Sequence, residues 1–82
     1  MIITRTLHIL DAVNGDFVGA AEFHDDVVDL WSEDGDVDTH MFVNGLEGDD
    51  LYREILGYFS AEMGTDGDYY LTDDDESVIV YY

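Results

Sequence analysis

The chain has 82 residues, with 21 aspartates and glutamates against two arginines and no lysine, for a formal net charge of −19. Hydrophobic residues make up 46% and eleven residues are aromatic, enough apolar surface to offset chain entropy and exclude a disordered polyacid. With no cysteine there is no disulfide and no thiolate metal site, and no apolar run nears the ~20 residues that span a bilayer.

This length predicts one domain over residues 1–82, near the lower end of what folds without a staple. The opening MIITRTLHIL has one arginine, no long apolar core and no small-residue cleavage site. No secretory signal is therefore expected, and a soluble cytoplasmic protein is the default.

In chain order the first element is a β-hairpin, residues 3–13 and 17–23 around Asn14-Gly15. A two-residue loop scatters the apolar residues over both faces. A three-residue loop, Asn14-Gly15-Asp16, sets Val13 against Phe17, Ile9 against Ala21 and Leu7 against Phe23 on one face. That register is preferred, because pairing follows the buried pattern.

Next comes HDDVVDLWSEDGDVDTH, residues 24–40, with seven carboxylates and neither lysine nor arginine around the only tryptophan. Asp34-Gly35 signals a type I′ turn. Folding about it places Val28, Leu30, Val37, Met41 and Val43 on one face and Asp29, Trp31, Glu33, Asp36, Asp38 and His40 on the other. Same-face residues recur every ~6.6 Å and strands lie ~4.8 Å apart, so these acids form a dense lattice rather than a loose loop.

Residues 49–63, DDLYREILGYFSAEM, predict a helix with an i+4 row of Leu51, Ile55, Phe59 and Met63 flanked by Tyr52 and Leu56. Asp50, Glu54 and Glu62 form a separate acidic row with Tyr58 among them. Asp49 is expected as the N-cap and Gly64 as the stop. DYYLT, a DDDE turn and SVIVYY then predict a closing hairpin. The fold class is α+β, a mostly antiparallel sheet of hairpins with one amphipathic helix in the order ββ-ββ-α-ββ.

Chemistry-bearing constellations are weak. An EF-hand with Gly35 at its sixth position begins with Leu30 and ends with Met41, which fails; one with Gly67 there offers Glu62, Gly64, Asp66 and Asp73, a partial match. The DDDE run suits only adventitious divalent binding. His8, His24 and His40 recur every sixteen residues without a local zinc-type pair, and read as strand histidines. Ser32, Ser60 and Ser77 lack a nucleophile context. No catalytic, metal or cofactor residue is assigned, and a phosphate substrate would be repelled. Trp31 has two readings, a core residue or a half-exposed anchor ringed by charge, as at interface hot spots. Tyr81 and Tyr82 pose the same choice, with core preferred.

A compact chain of this length has a diameter of roughly 30 Å. Duplex DNA of that length carries roughly 18 charges, about the charge of the whole protein. Size, acidity and aromatic content resemble the small DNA-mimicking inhibitors of phages and mobile elements: anti-CRISPR and anti-restriction proteins and uracil-DNA glycosylase inhibitors. The likeness is of overall character, not of motif. It implies an inhibitor with a basic nucleic-acid-binding protein as partner, no nucleic acid or membrane contact of its own, and action in the host cytoplasm. An anti-CRISPR blocking target DNA at a Cas effector is the preferred member, since short acidic single domains are common there. The expected contact residues are Asp25, Asp26, Asp29, Trp31, Glu33, Asp34, Asp36, Asp38, Asp50 and Glu54. A salt-adapted domain, acidic for solvation, is the alternative; fifteen aspartates, six glutamates and no lysine suit it. Against it stand the near-total deletion of positive charge and the concentration of acids in 25–38 and 66–76. An acidic adaptor for a basic protein that does not bind nucleic acid is not separable from the first reading by sequence.

Overall fold

A computed structural model of the chain describes residues 5–64, 68–73, 75 and 77–81. Its elements are β1 (Arg5–Asp11), β2 (Phe17–His24), β3 (Val27–Ser32), β4 (Asp38–Phe42), α1 (Gly48–Met63), β5 (Tyr69–Thr72) and β6 (Val78–Tyr81). Six antiparallel strands form one sheet in the order β4-β3-β2-β1-β5-β6. The first four strands meander, the helix crosses back, and the closing hairpin pairs with the free edge of β1. This is the α+β class and ββ-ββ-α-ββ order that the hairpin and helix patterns predict.

Alternation puts Leu7, Ile9, Ala21, Val28, Leu30, Met41, Leu71 and Val80 on the face covered by α1, where they pack with Leu51, Ile55, Leu56 and Phe59 in one buried core. Val37 joins it from the β3–β4 loop. Tyr52 and Met63 line its margin, so the predicted helix row is the row that is buried. No described element covers the opposite face. It carries His8, Leu10, Trp31, Tyr70 and Tyr81.

The helix begins at Gly48 behind Glu47, whose side chain makes no capping bond, so Asp49 lies in the first turn and is not the cap. There its charge, with Asp50, still suits the helix dipole. Gly64 ends the helix left-handed at φ 71°, and its N–H donates to the Ala61 carbonyl at 3.1 Å, as its position predicts.

The β3–β4 register is the expected one, with Asp29 opposite His40 and Trp31 opposite Asp38. The turn differs. A type I′ turn needs two left-handed residues, and only Gly35 is left-handed (φ 84°). Instead the Gly35 N–H donates to the Ser32 carbonyl (3.1 Å) and the Ser32 N–H to that of Val37 (2.9 Å). The Ser32 hydroxyl accepts from the Val37 N–H (2.8 Å) and donates to Asp34 Oδ1 (2.7 Å), which also accepts from the Asp36 N–H (3.0 Å). Side-chain bonds thus hold a wider loop, and Glu33 and Asp36 sit in it rather than on strands.

The β1–β2 register is two residues away from expectation. Leu7 pairs with Ala21 and Ile9 with Gly19, while Arg5 is opposite Phe23. A slip of two keeps every side chain on its face, so the buried set is unchanged. Asp11 starts the loop: its carboxylate accepts from the Val13 N–H (2.7 Å) and its carbonyl from the Gly15 N–H (2.7 Å). Val13 is left 85% exposed instead of pairing with Phe17. The register then shifts between Ile9 and Leu10, leaving Val18 as an extra residue. This bulge turns Phe17 to the uncovered face, against Leu10.

In the closing hairpin, Asp73 Oδ1 accepts from the N–H groups of Asp75 (2.9 Å) and Ser77 (3.0 Å). Asp66, Asp74, Glu76 and Tyr82 lie outside the described residues. Tyr81 is not core: it is 60% exposed and its ring lies 5.2 Å from that of Tyr70. On the edge strand β6, alternation gives the inward position to Val80.

Candidate protein-docking surface

The predicted contact acids other than Asp29 fall into three groups. Glu33, Asp34, Asp36 and Asp38 are exposed together at the β3–β4 tip, with Trp31 directly across from Asp38. Asp25 and Asp26 are exposed in the β2–β3 turn, a strand length of roughly 20 Å away. Asp25 is left-handed (φ 55°), and the Asp26 carbonyl accepts from the Val43 N–H (2.8 Å). Asp50 and Glu54 are exposed on α1, across the sheet from Trp31; Glu54 lines a groove at the β4 edge with His40, Phe42 and Tyr58. The ten predicted contact residues therefore do not share one face. The tip group with Trp31 is the set that the fold brings together.

Trp31 is half-buried on the uncovered face. Its ring lies 5.9 Å from that of Phe17, which meets His8 edge-on at 5.5 Å. These rings cover Ala20, which pairs with both Trp31 and His8 and is almost fully buried. The tryptophan is thus neither in the main core nor an isolated anchor: it ends an aromatic run beside the acidic tip. Phe17, Tyr70 and Tyr81 extend that run; period-two reading placed Phe17 on the other face because the bulge that redirects it has no local signal, and it preferred the core for Tyr81.

Asp29 has a structural partner. Its Oδ2 lies 2.8 Å from His24 Nε2, and His24 is only 8% exposed, with its Nδ1 buried and without a hydrogen-bond partner among the described residues. Among the described residues this is the one ion pair. Arg5 instead donates to the Tyr52 hydroxyl (2.7 Å) and lies 5.6 Å from that ring's centre. Among the described residues the tip carboxylates take part in no ion pair. His8 and His40 make edge contacts with Phe17 and Phe42, and no group of three histidine or carboxylate side chains among the described residues is arranged to hold a metal.

The Asp34 carboxyl is held below its ordinary value of 3.8, first by the Ser32 hydroxyl and then by the Asp36 N–H. A depressed folded-state pKa gives stability that is present above the unfolded value and lost as pH falls through the folded one. Asp34→Asn is therefore expected to unfold at lower temperature than wild type at pH 7. The difference should shrink steadily below pH ~3.8, as read by thermal circular dichroism. A difference independent of pH would mean that the loop does not depend on this charge.

No helix among the described residues is long and apolar enough to cross a membrane. Comparison with protein-family models, with curated proteins and with solved structures finds no match to this chain.

Proposed function

We propose that the chain is a protein inhibitor that occupies the phosphate-binding groove of a basic nucleic-acid-binding protein, with a Cas effector as the preferred target and the host cytoplasm as the setting. The observation that carries this reading is a hydrogen-bonded acidic tip, exposed and, among the described residues, outside any ion pair, on a domain of charge −19. The long axis of the molecule is 31 Å. Duplex DNA of that length carries roughly 18 phosphate charges. A basic groove gains affinity by neutralising phosphates and releasing their counterions, and carboxylates on a hydrogen-bonded loop compete for it at little ordering cost. The reading requires no cofactor and no catalysis.

The test offers fluorescent duplex to Cas effectors, a restriction enzyme, a uracil-DNA glycosylase and a histone-like protein at ~0.15 M salt, with and without the chain. Loss of DNA binding by one member is expected. Equal weakening of all would reduce the effect to polyanion competition, and no effect would overturn the proposal.

Salt also separates inhibition from salt adaptation. Self-repulsion is screened as ionic strength rises, so molar salt should raise the unfolding temperature of either kind of protein. An inhibitor must remain folded where its target binds. Circular dichroism is expected to show the native spectrum at ~0.15 M salt and below. An unfolded spectrum there would move the assignment to the salt-adapted domain.

A further inference from the structure

Beside the acidic tip lies a cleft of about 340 Å³, at the small end of the range for ligand sites, lined by Phe17, Val18, Glu33, Asp34 and Met63. Its parts come from three places in the chain. The bulge supplies Phe17 and Val18, the β3–β4 loop supplies Glu33 and Asp34, and the last residue of α1 supplies Met63. They are held together by the main chain, since the Glu33 N–H donates to the Val18 carbonyl at 2.8 Å.

The cleft pairs an apolar floor with a negative rim. Both hydrogen bonds to the Asp34 carboxylate fall on Oδ1, so its orientation is fixed while Oδ2 stays outside that network. The carboxyl also remains ionised below the usual range. The α1 C-terminus adds partial negative charge, and no basic residue occupies its last turn. Phe17 offers a ring that is 37% exposed.

We propose that this cleft receives an arginine side chain of the basic partner, its stem on Val18 and Met63, its guanidinium over Phe17 and between Glu33 and Asp34. The inference rests on the inhibitor reading above and names how that partner is gripped. Arginine fits better than lysine, because a planar guanidinium both stacks on an aromatic face and engages carboxylates in fixed geometry, whereas an ammonium is a compact, strongly hydrated charge. Groups that bind phosphate in a nucleic-acid groove are commonly arginines, so one that normally clasps DNA would be captured here.

The first measurement needs no partner. Isotope-labelled chain is titrated with N-acetyl-arginine methylamide and, separately, with its lysine counterpart, and followed by amide chemical shifts. Shifts are expected to concentrate at Phe17, Val18, Glu33, Asp34 and Met63, and arginine should bind more tightly than lysine. Glu33→Gln should weaken arginine binding about three- to fivefold, the scale of one exposed ion pair. Phe17→Leu should remove the preference over lysine. Shifts of equal size at Asp25, Asp49 and the cleft, or no preference between the two cations, would overturn the proposal.

The second measurement is duplex displacement. If wild type and the Glu33→Gln/Phe17→Leu double variant displace DNA equally, the cleft is not the grip, although the inhibitor reading stands. If wild type displaces nothing from any protein, that reading falls, and the titration alone decides whether the cleft takes arginine.

Discussion

Gly19→Ala is expected to lower stability by about 3 kcal/mol, at the upper end of ordinary overpacking costs. A Cβ built on Gly19 would collide with the Trp31 carbonyl oxygen and lie 2.8 Å from the Phe59 ring. Neither neighbour yields readily: one is backbone inside the β2–β3 ladder, and the other is the largest fully buried side chain of the core. A domain of this length has a total stability of roughly 4–12 kcal/mol, so the loss is a large share of it. The unfolding temperature should fall by roughly 12–24 °C. Combining the change with Phe59→Leu should cost less than the sum of the two, because the leucine removes the ring contact but not the carbonyl one. Strict additivity, or a loss under ~1 kcal/mol, would mean that α1 does not sit this close to β2.

Asp36→Asn with Asp38→Asn is expected to weaken target binding about 30-fold at ~0.15 M salt. Each phosphate-like contact contributes a salt slope of about 0.9, or roughly fivefold at that concentration. Both residues are exposed at the tip, and their loss relieves like-charge repulsion, so the unfolding temperature should not fall. Asp29 was an attractive third member from sequence, but replacing it would strip the buried His24 of its partner and confound inhibition with stability. Asp34 is unsuitable for a similar reason, since its carboxylate ties the loop together. Displacement assays on the folded double variant check the effect. Unchanged inhibition would transfer the contact to Asp25 and Asp26 or to the helix acids.

The β3–β4 hairpin was the most legible element, because centring its turn on Asp34-Gly35 fixes one register, and alternation about it buries Val28, Leu30 and Met41 on one face. Its turn was not legible: Ser32 and Asp34 side chains replace the backbone geometry that Asp-Gly signals. In β1–β2 a two-residue slip leaves the apolar pattern unchanged, so pattern could choose the face but not the partners. A contact remote in sequence, Gly19 beneath Phe59, accompanies the register adopted. The same limit hid the bulge at Val18 and hence the cleft. The helix was legible through its i+4 row. Acidity itself was plain, but the division of the acids depends on which sheet face α1 covers, and that separates Asp50 and Glu54 from Trp31. Tyr81 illustrates a smaller limit: an aromatic pair at the end of an apolar run looks like core until strand order makes β6 an edge.

The central claim is that fixed carboxylates stand in for phosphates. It is tested most directly by measuring affinity for the displaced protein at several salt concentrations, alongside the affinity of duplex DNA for the same protein. The account predicts that both fall steeply and with similar slopes on a double-logarithmic plot, and that Asp36→Asn/Asp38→Asn lowers the slope for the chain by roughly 2. Affinity that is nearly independent of salt would contradict it.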